Sequence, residues 1–142
     1  MSTSPPSLPG AGGADDSTRA RGRRVEVRVA EFLAARGVRL LASNVTIAGA
    51  EIDLIGQLED GVEPTIVFVE VRSRADDLRG HALETIGPEK RRRIIRAATA
   101  YLVANDLWER VAVRFDIVTV TGSDIDHAPI EWLPAAFDAT ER

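Results

Sequence analysis

Cysteine is absent from this 142-residue chain, and lysine occurs once, at Lys90, among 18 cationic side chains. The first absence excludes disulfides and zinc–thiolate sites, and an uncrosslinked chain fits a cytoplasmic setting. The two histidines, His81 and His127, stand isolated in polar stretches without a motif around them. Neither is expected to be catalytic. Trp108 and Trp132 lack interleaved basic residues, so they read as core or interface positions rather than as platforms for bases. No run approaches the roughly 18 apolar residues of a membrane span, so no membrane partner is expected. Met1 to Thr18 is rich in Ser, Pro, Gly and Ala, with Leu8 its one large aliphatic residue besides Met1. It has neither a basic start nor a continuous apolar stretch, which excludes a signal peptide and reads as a disordered tail.

What remains has the composition of one globular domain, 44% apolar and 28% charged, long enough to bury a core. The expected organisation is a tail over 1–18, a single domain over 19–134 and a loose end over 135–142. Net charge is −4, but the cations are clustered. Arg19 to Arg39 holds seven arginines against Glu26 and Glu31, and Arg72 to Arg96 holds seven arginines and Lys90 against four acids. Such patches can bind phosphates on an acidic protein, and they equally suit a solvated surface.

Apolar spacing at Val25, Val29, Phe32 and Leu33 predicts a helix over Arg19–Arg36, ended by Gly37. Strands are expected over Val38–Val45, Ala50–Gly56 and Thr65–Arg74, the last apolar on both faces as in a buried central strand. Asp60-Gly61 and Pro64 mark the turn between the second and third. Gly80–Thr85 reads as a loop or short helix. Gly87-Pro88 opens a helix to about Asn105 that buries Ile94, Ile95, Ala98, Tyr101 and Leu102. A strand over Val111–Val120 and a short one near Pro129–Leu133 follow. An antiparallel hairpin followed by strand–helix–strand implies an α/β fold, a mixed sheet with helices on its faces.

Two strings stand out within that order: Glu51-Ile52-Asp53-Leu54-Ile55 and Val67-Phe68-Val69-Glu70-Val71-Arg72. Each sets carboxylates inside an apolar run, and an unpaired buried carboxylate costs several kcal/mol. Strand alternation puts Glu51 with Asp53, and Glu70 with Arg72. In a hairpin Asp53, Glu70 and Arg72 converge. Two carboxylates beside a cation suit a hydrolytic Mg²⁺ or Mn²⁺ site, with Asp53 and Glu70 as direct ligands. Glu51 or Glu26 would complete the shell or hold a water. The competing readings are a buried ion-pair network of Asp53, Glu70 and Arg72, and for Glu26 a salt bridge to a neighbouring arginine. Lys90, Arg91, Arg92, Arg93 and Arg96 at the start of the second helix, with Arg74, are the candidate contacts to nucleic-acid phosphates.

Gly22-x-x-x-Glu26, Ala50-Glu51-Ile52-Asp53-Leu54-Ile55, Val67 to Arg74, Pro88-x-Lys90 and Arg114-Phe115-Asp116 together resemble the bacterial YraN family. That uncharacterised family is placed in the restriction-endonuclease-like PD-(D/E)XK superfamily, and the likeness spans about Arg21 to Val120. It implies a three-layer fold with an αβββαβ core. It also implies a class, nucleases and nucleic-acid binders acting on DNA or RNA, and not a substrate. The expected function is a metal-dependent nuclease with DNA preferred to RNA as partner, and branched or otherwise structured DNA a candidate substrate. The alternative is a catalytically weak or inactive binding module that keeps the fold. By position, Asp53 resembles the superfamily's motif Asp, Glu70 its Asp/Glu ligand and Glu26 the first-helix Glu. Arg72 falls where the motif Lys stands. A guanidinium has no acceptor and cannot serve as a base, so Lys90 is the candidate to take that role. Gly49-Ala50-Glu51 replaces the usual Gly-Gly-Glu, and Val25 the usual Gly before the helix Glu.

Overall fold

A computed structural model describes residues 13–59, 61–74 and 86–139. The elements are α1 (Gly13–Ala34), β1 (Val38–Ile47), β2 (Ala50–Leu58), β3 (Thr65–Arg74), α2 (Pro88–Ala104), β4 (Ala112–Thr121) and β5 (Ile130–Phe137). The five strands form one sheet in the order β1-β2-β3-β4-β5. Only β3 and β4 run parallel, because α2 carries the chain back between them; the other neighbours are antiparallel.

Alternation along β3 sorts the core into two layers. Val67 and Val69 pack with Val25, Val29 and Leu33 of α1, together with Leu54, Val118 and Val120. Ile66 and Phe68 face the other way, toward Ile94, Ala97, Ala98 and Leu102 of α2, with Ile55, Phe115 and Phe137. Each such side chain contributes roughly 1.5–3 kcal/mol when fully buried. The result is the restriction-endonuclease-like α/β arrangement, a mixed sheet with a helix on each face. Glu70 continues the α2-facing row of β3, two residues beyond Phe68.

Several boundaries differ from the sequence expectation, β2 for instance running to Leu58 rather than Gly56. Helix α1 begins at Gly13, inside the segment expected to be a tail. Extending a docked helix adds one hydrogen bond per residue fixed, whereas nucleating one is costly, so composition understated its reach. Strand β5 runs to Phe137, through residues expected to be loose. Phe137 is buried and stacks on Phe115 with ring centroids 5.1 Å apart. Pro134 has no N–H to offer, and the β4–β5 register shifts there between Phe115 and Ile117. The Ala135 N–H is instead taken by the Asp116 carboxylate at 2.9 Å, with Ala135 at φ 52. The first hairpin is also longer than expected, since β1 reaches Ile47 and only Ala48 and Gly49 turn the chain. Residues 1–12, Asp60, 75–85, which include the Gly80–Thr85 segment and His81, and 140–142 lie outside the described residues.

Candidate functional site

Strands β2 and β3 part at one end. Their pairing runs from Leu58 with Thr65 to Leu54 with Val69. The next rung would set Asp53 opposite Glu70. There the backbone ladder gives way to a side chain: the Val71 N–H donates to Asp53 Oδ2 at 2.8 Å. The opening exposes a cleft of about 260 Å³ lined by Gly49, Ala50, Glu51, Asp53, Glu70, Lys90, Arg93 and Ile94.

Lys90, in the first turn of α2, reaches the cleft. Its Nζ lies 2.7 Å from Glu70 Oε2, with Arg72 Nη1 on the same oxygen at 3.6 Å. Positions 90, 93 and 94 share one side of α2, so Arg93 and Ile94 accompany Lys90 into the cleft wall. Burial pushes the Asp53 carboxyl up to about 7, reinforced by the negative charge of Glu70 and by hydrogen bonding between the two carboxyls. Glu26 adds a smaller push in the same direction, and the Val71 N–H opposes it. Among the described residues Glu26 makes no salt bridge to an arginine; its Oε1 accepts a hydrogen bond from Asn44 Nδ2 at 2.8 Å.

The structure therefore brings Asp53, Glu70, Lys90 and Arg72 together, places Glu51 on the exposed cleft rim, and sets Glu26 within electrostatic reach. Among the described residues no group of three acidic or histidine side chains is arranged to hold a metal ion. The protein would offer an ion the Asp53–Glu70 pair, with water and phosphate as the remaining ligands. Mg²⁺ commonly accepts such a set, since it keeps several waters.

The expected phosphate-binding arginines divide. Arg93 lines the cleft, and Arg92 and Arg96 stand on the outer side of α2. Arg91 turns back into the protein: its Nε donates to the Ile86 carbonyl at 3.0 Å and its guanidinium lies 5.9 Å from the Phe137 ring. It braces the start of α2, so it is not a free phosphate contact. Arg74 sits half-buried at the C-terminal end of β3, four residues beyond Glu70. On α1, Arg21 donates to the carbonyls of Gly122 and Ser123, and Arg28 to those of Ile125 and Ala128. These arginines clamp the β4–β5 loop. His127 is exposed in that loop, 2.9 Å from Asp124.

Arg114-Phe115-Asp116 is a structural device. Fully buried Asp116 accepts from Arg114 Nε and Nη2 at 2.9 Å each, from Trp132 Nε1 at 2.8 Å and from the Ala135 N–H. It joins the two last strands where their register shifts. Of the core or interface positions expected for the two tryptophans, Trp132 is a half-buried packing residue, whereas Trp108 is 48% exposed and so is not a core residue. Three positions near the site were missed from sequence. Asn44, at φ 52, holds Glu26. Ala48, at φ 52, turns the hairpin above the cleft, a conformation that costs a non-glycine residue roughly 1–2 kcal/mol. The third is Trp108, read from sequence only as a core or interface position and not as part of a cavity wall. Only the two-residue gap between Ile47 and Ala50 could have flagged the turn.

Residues 25–120 match the model of the uncharacterised protein family UPF0102. The chain is 45% identical over 125 residues to a UPF0102 protein of Chromohalobacter salexigens, covering 88% of this chain and 96% of that one. It is 43% identical over 133 residues to one of Anaeromyxobacter dehalogenans, covering 94% and 95%. A Pseudomonas aeruginosa relative is 40% identical over 125 residues, covering 87% and 97%.

Proposed function

The chain belongs to the uncharacterised protein family UPF0102, and on that premise we propose that it is a metal-dependent nuclease of the PD-(D/E)XK type acting on DNA. One observation carries the reading: Asp53 and Glu70 face each other where β2 and β3 part, with Lys90 2.7 Å from Glu70. An arrangement that drives a carboxyl up to about 7 is costly to fold. A divalent cation between the two carboxylates would relieve their repulsion, and that supports a Mg²⁺ or Mn²⁺ site.

Asp53 and Glu70 would hold the ion directly, and Glu51 and Glu26 through water. Bound there, it would polarise a phosphodiester and favour ionisation of a water. The Lys90 ammonium gives one hydrogen bond to Glu70 and keeps others for a water or a phosphate oxygen. Arg72 is limited to fixed positive charge, which suits stabilisation of the charge that develops on phosphorus oxygens. Arg93 in the cleft wall adds attraction for the phosphate.

Calorimetric titration with Mg²⁺ and Mn²⁺ tests the site. Binding is expected in wild type and lost in both Asp53→Asn and Glu70→Gln; unchanged binding in the two variants refutes the reading. Labelled single-stranded, duplex and junction DNA then test cleavage. Arg72 in the motif Lys position favours a second reading, a binding module without turnover. Wild type and Arg72→Lys both inert on all three substrates, with DNA still bound, would establish that one instead.

A further inference from the structure

Beside the acidic cleft, on the outer side of α2, lies a larger recess of about 580 Å³. Ile95, Ala100 and Trp108 give it apolar walls, Arg92 and Arg96 stand in it, and Ala48 closes it against the first hairpin. Residues adjacent in the chain line the two cavities on both the hairpin turn and the helix. Ala48 precedes Gly49 in the hairpin turn and Arg92 precedes Arg93 on the helix, and Gly49 and Arg93 line the acidic cleft. Neither Arg92 nor Arg96 is ion-paired among the described residues. The indole of Trp108 is half exposed at the recess while Trp132 is committed to Asp116. A ligand that suits this combination is flat and apolar in one part and anionic in another.

We propose that the recess holds an unpaired nucleobase of the strand whose phosphodiester lies in the acidic cleft, so that the substrate class is single-stranded or locally unpaired DNA. The inference rests on the nuclease reading of that cleft. In a duplex each base has both faces stacked on its neighbours and cannot offer one to Trp108, whereas an unpaired base can. Stacking on an aromatic ring tolerates any base, so the recess selects strand state rather than sequence. Arg92 and Arg96 would take the phosphates flanking that base, which makes binding fall with salt.

The test measures binding without cleavage. Anisotropy of a labelled oligothymidylate of roughly 12 nucleotides is followed in EDTA, against a blunt duplex of the same length. Wild type is expected to bind the single strand more tightly. Trp108→Ala should lower single-strand affinity roughly ten-fold while duplex affinity stays within about two-fold, and Trp108→Phe should restore most of the loss. In unaltered protein, saturating single strand should quench tryptophan emission and shield it from acrylamide, whereas duplex should not. That readout decides the matter should Trp108→Ala fail to fold. Equal loss on both DNAs, no loss, or no quenching overturns the recess. Cleavage by wild type with an unchanged single-strand preference in Trp108→Ala overturns the recess alone. Trp108-dependent single-strand binding, combined with metal binding indifferent to Asp53→Asn and Glu70→Gln, upholds the recess and overturns the nuclease.

Discussion

Replacing Asp53 by asparagine should make the protein more stable above about pH 4, and most of all at neutral and alkaline pH. The Asp53 carboxyl is raised from 3.8 to about 7 in the folded protein by burial first and by Glu70 second. Below 3.8 the group is protonated whether the chain is folded or not, so it costs nothing. Between 3.8 and about 7 the unfolded chain has released the proton and the folded one has not, so stability falls by about 1.4 kcal/mol per pH unit. Above about 7 both have released it and the cost is constant, about 4 kcal/mol at about 1.4 kcal/mol per unit. Asparagine does not titrate, and its carbonyl can still accept the Val71 N–H that Asp53 now takes at 2.8 Å. Urea unfolding of both proteins, followed by circular dichroism across this range, reads the Asp53–Glu70 pair, because titrating groups that do not interact with Asp53 cancel in the difference. The variant should gain about 3 kcal/mol relative to wild type between about pH 4.5 and about pH 8. A difference that is flat with pH, or a variant less stable than wild type at pH 8, refutes the argument. Added Mg²⁺ should recover stability in wild type at pH 8 and leave the variant unchanged, since only a folded site with both carboxylates gains from the ion.

Lys90→Ala removes the ammonium 2.7 Å from Glu70 and should lower DNA cleavage by roughly 100-fold or more. Adding Arg72→Lys to that variant should restore part of the rate, and full activity in Lys90→Ala would remove Lys90 from the mechanism. Asp116→Ala strands the Trp132 and Ala135 donors and leaves the Arg114 guanidinium without its carboxylate, which should cost about 3–5 kcal/mol in denaturant unfolding. A loss below about 1 kcal/mol would mean the network is not what joins β4 to β5. In Gly56→Ala the new Cβ would lie 2.5 Å from Val38 Cγ1 and 3.3 Å from the Arg39 carbonyl oxygen, so a loss of about 1–3 kcal/mol is expected. Combining it with Val38→Ala should cost less than the two single losses added together; strict additivity would place the strain elsewhere.

The order of elements and the acidic pair were legible in the sequence because both follow from local rules. Alternation along β3 made it a central strand, and apolar spacing on α1 and α2 made them helices with one buried side. A carboxylate inside each of two apolar strands, separated by one turn, was enough to bring Asp53 and Glu70 opposite each other. Tertiary structure decided what depends on partners distant in the chain. Arg91, Arg92 and Arg93 are consecutive and chemically identical, yet one braces Ile86, one lines the outer recess and one lines the cleft. A helix rotates about 100° per residue, so identity says nothing of direction until the sheet is in place. Strand β5 could not be read past Pro134 because the acceptor for the Ala135 N–H is the side chain of Asp116, nineteen residues away. Trp108 and Ala48 acquired a shared recess only when the first hairpin and the end of α2 folded onto the same side of the molecule. Composition and periodicity set which residues can be buried; the docking of α2 on the sheet sets which charges meet.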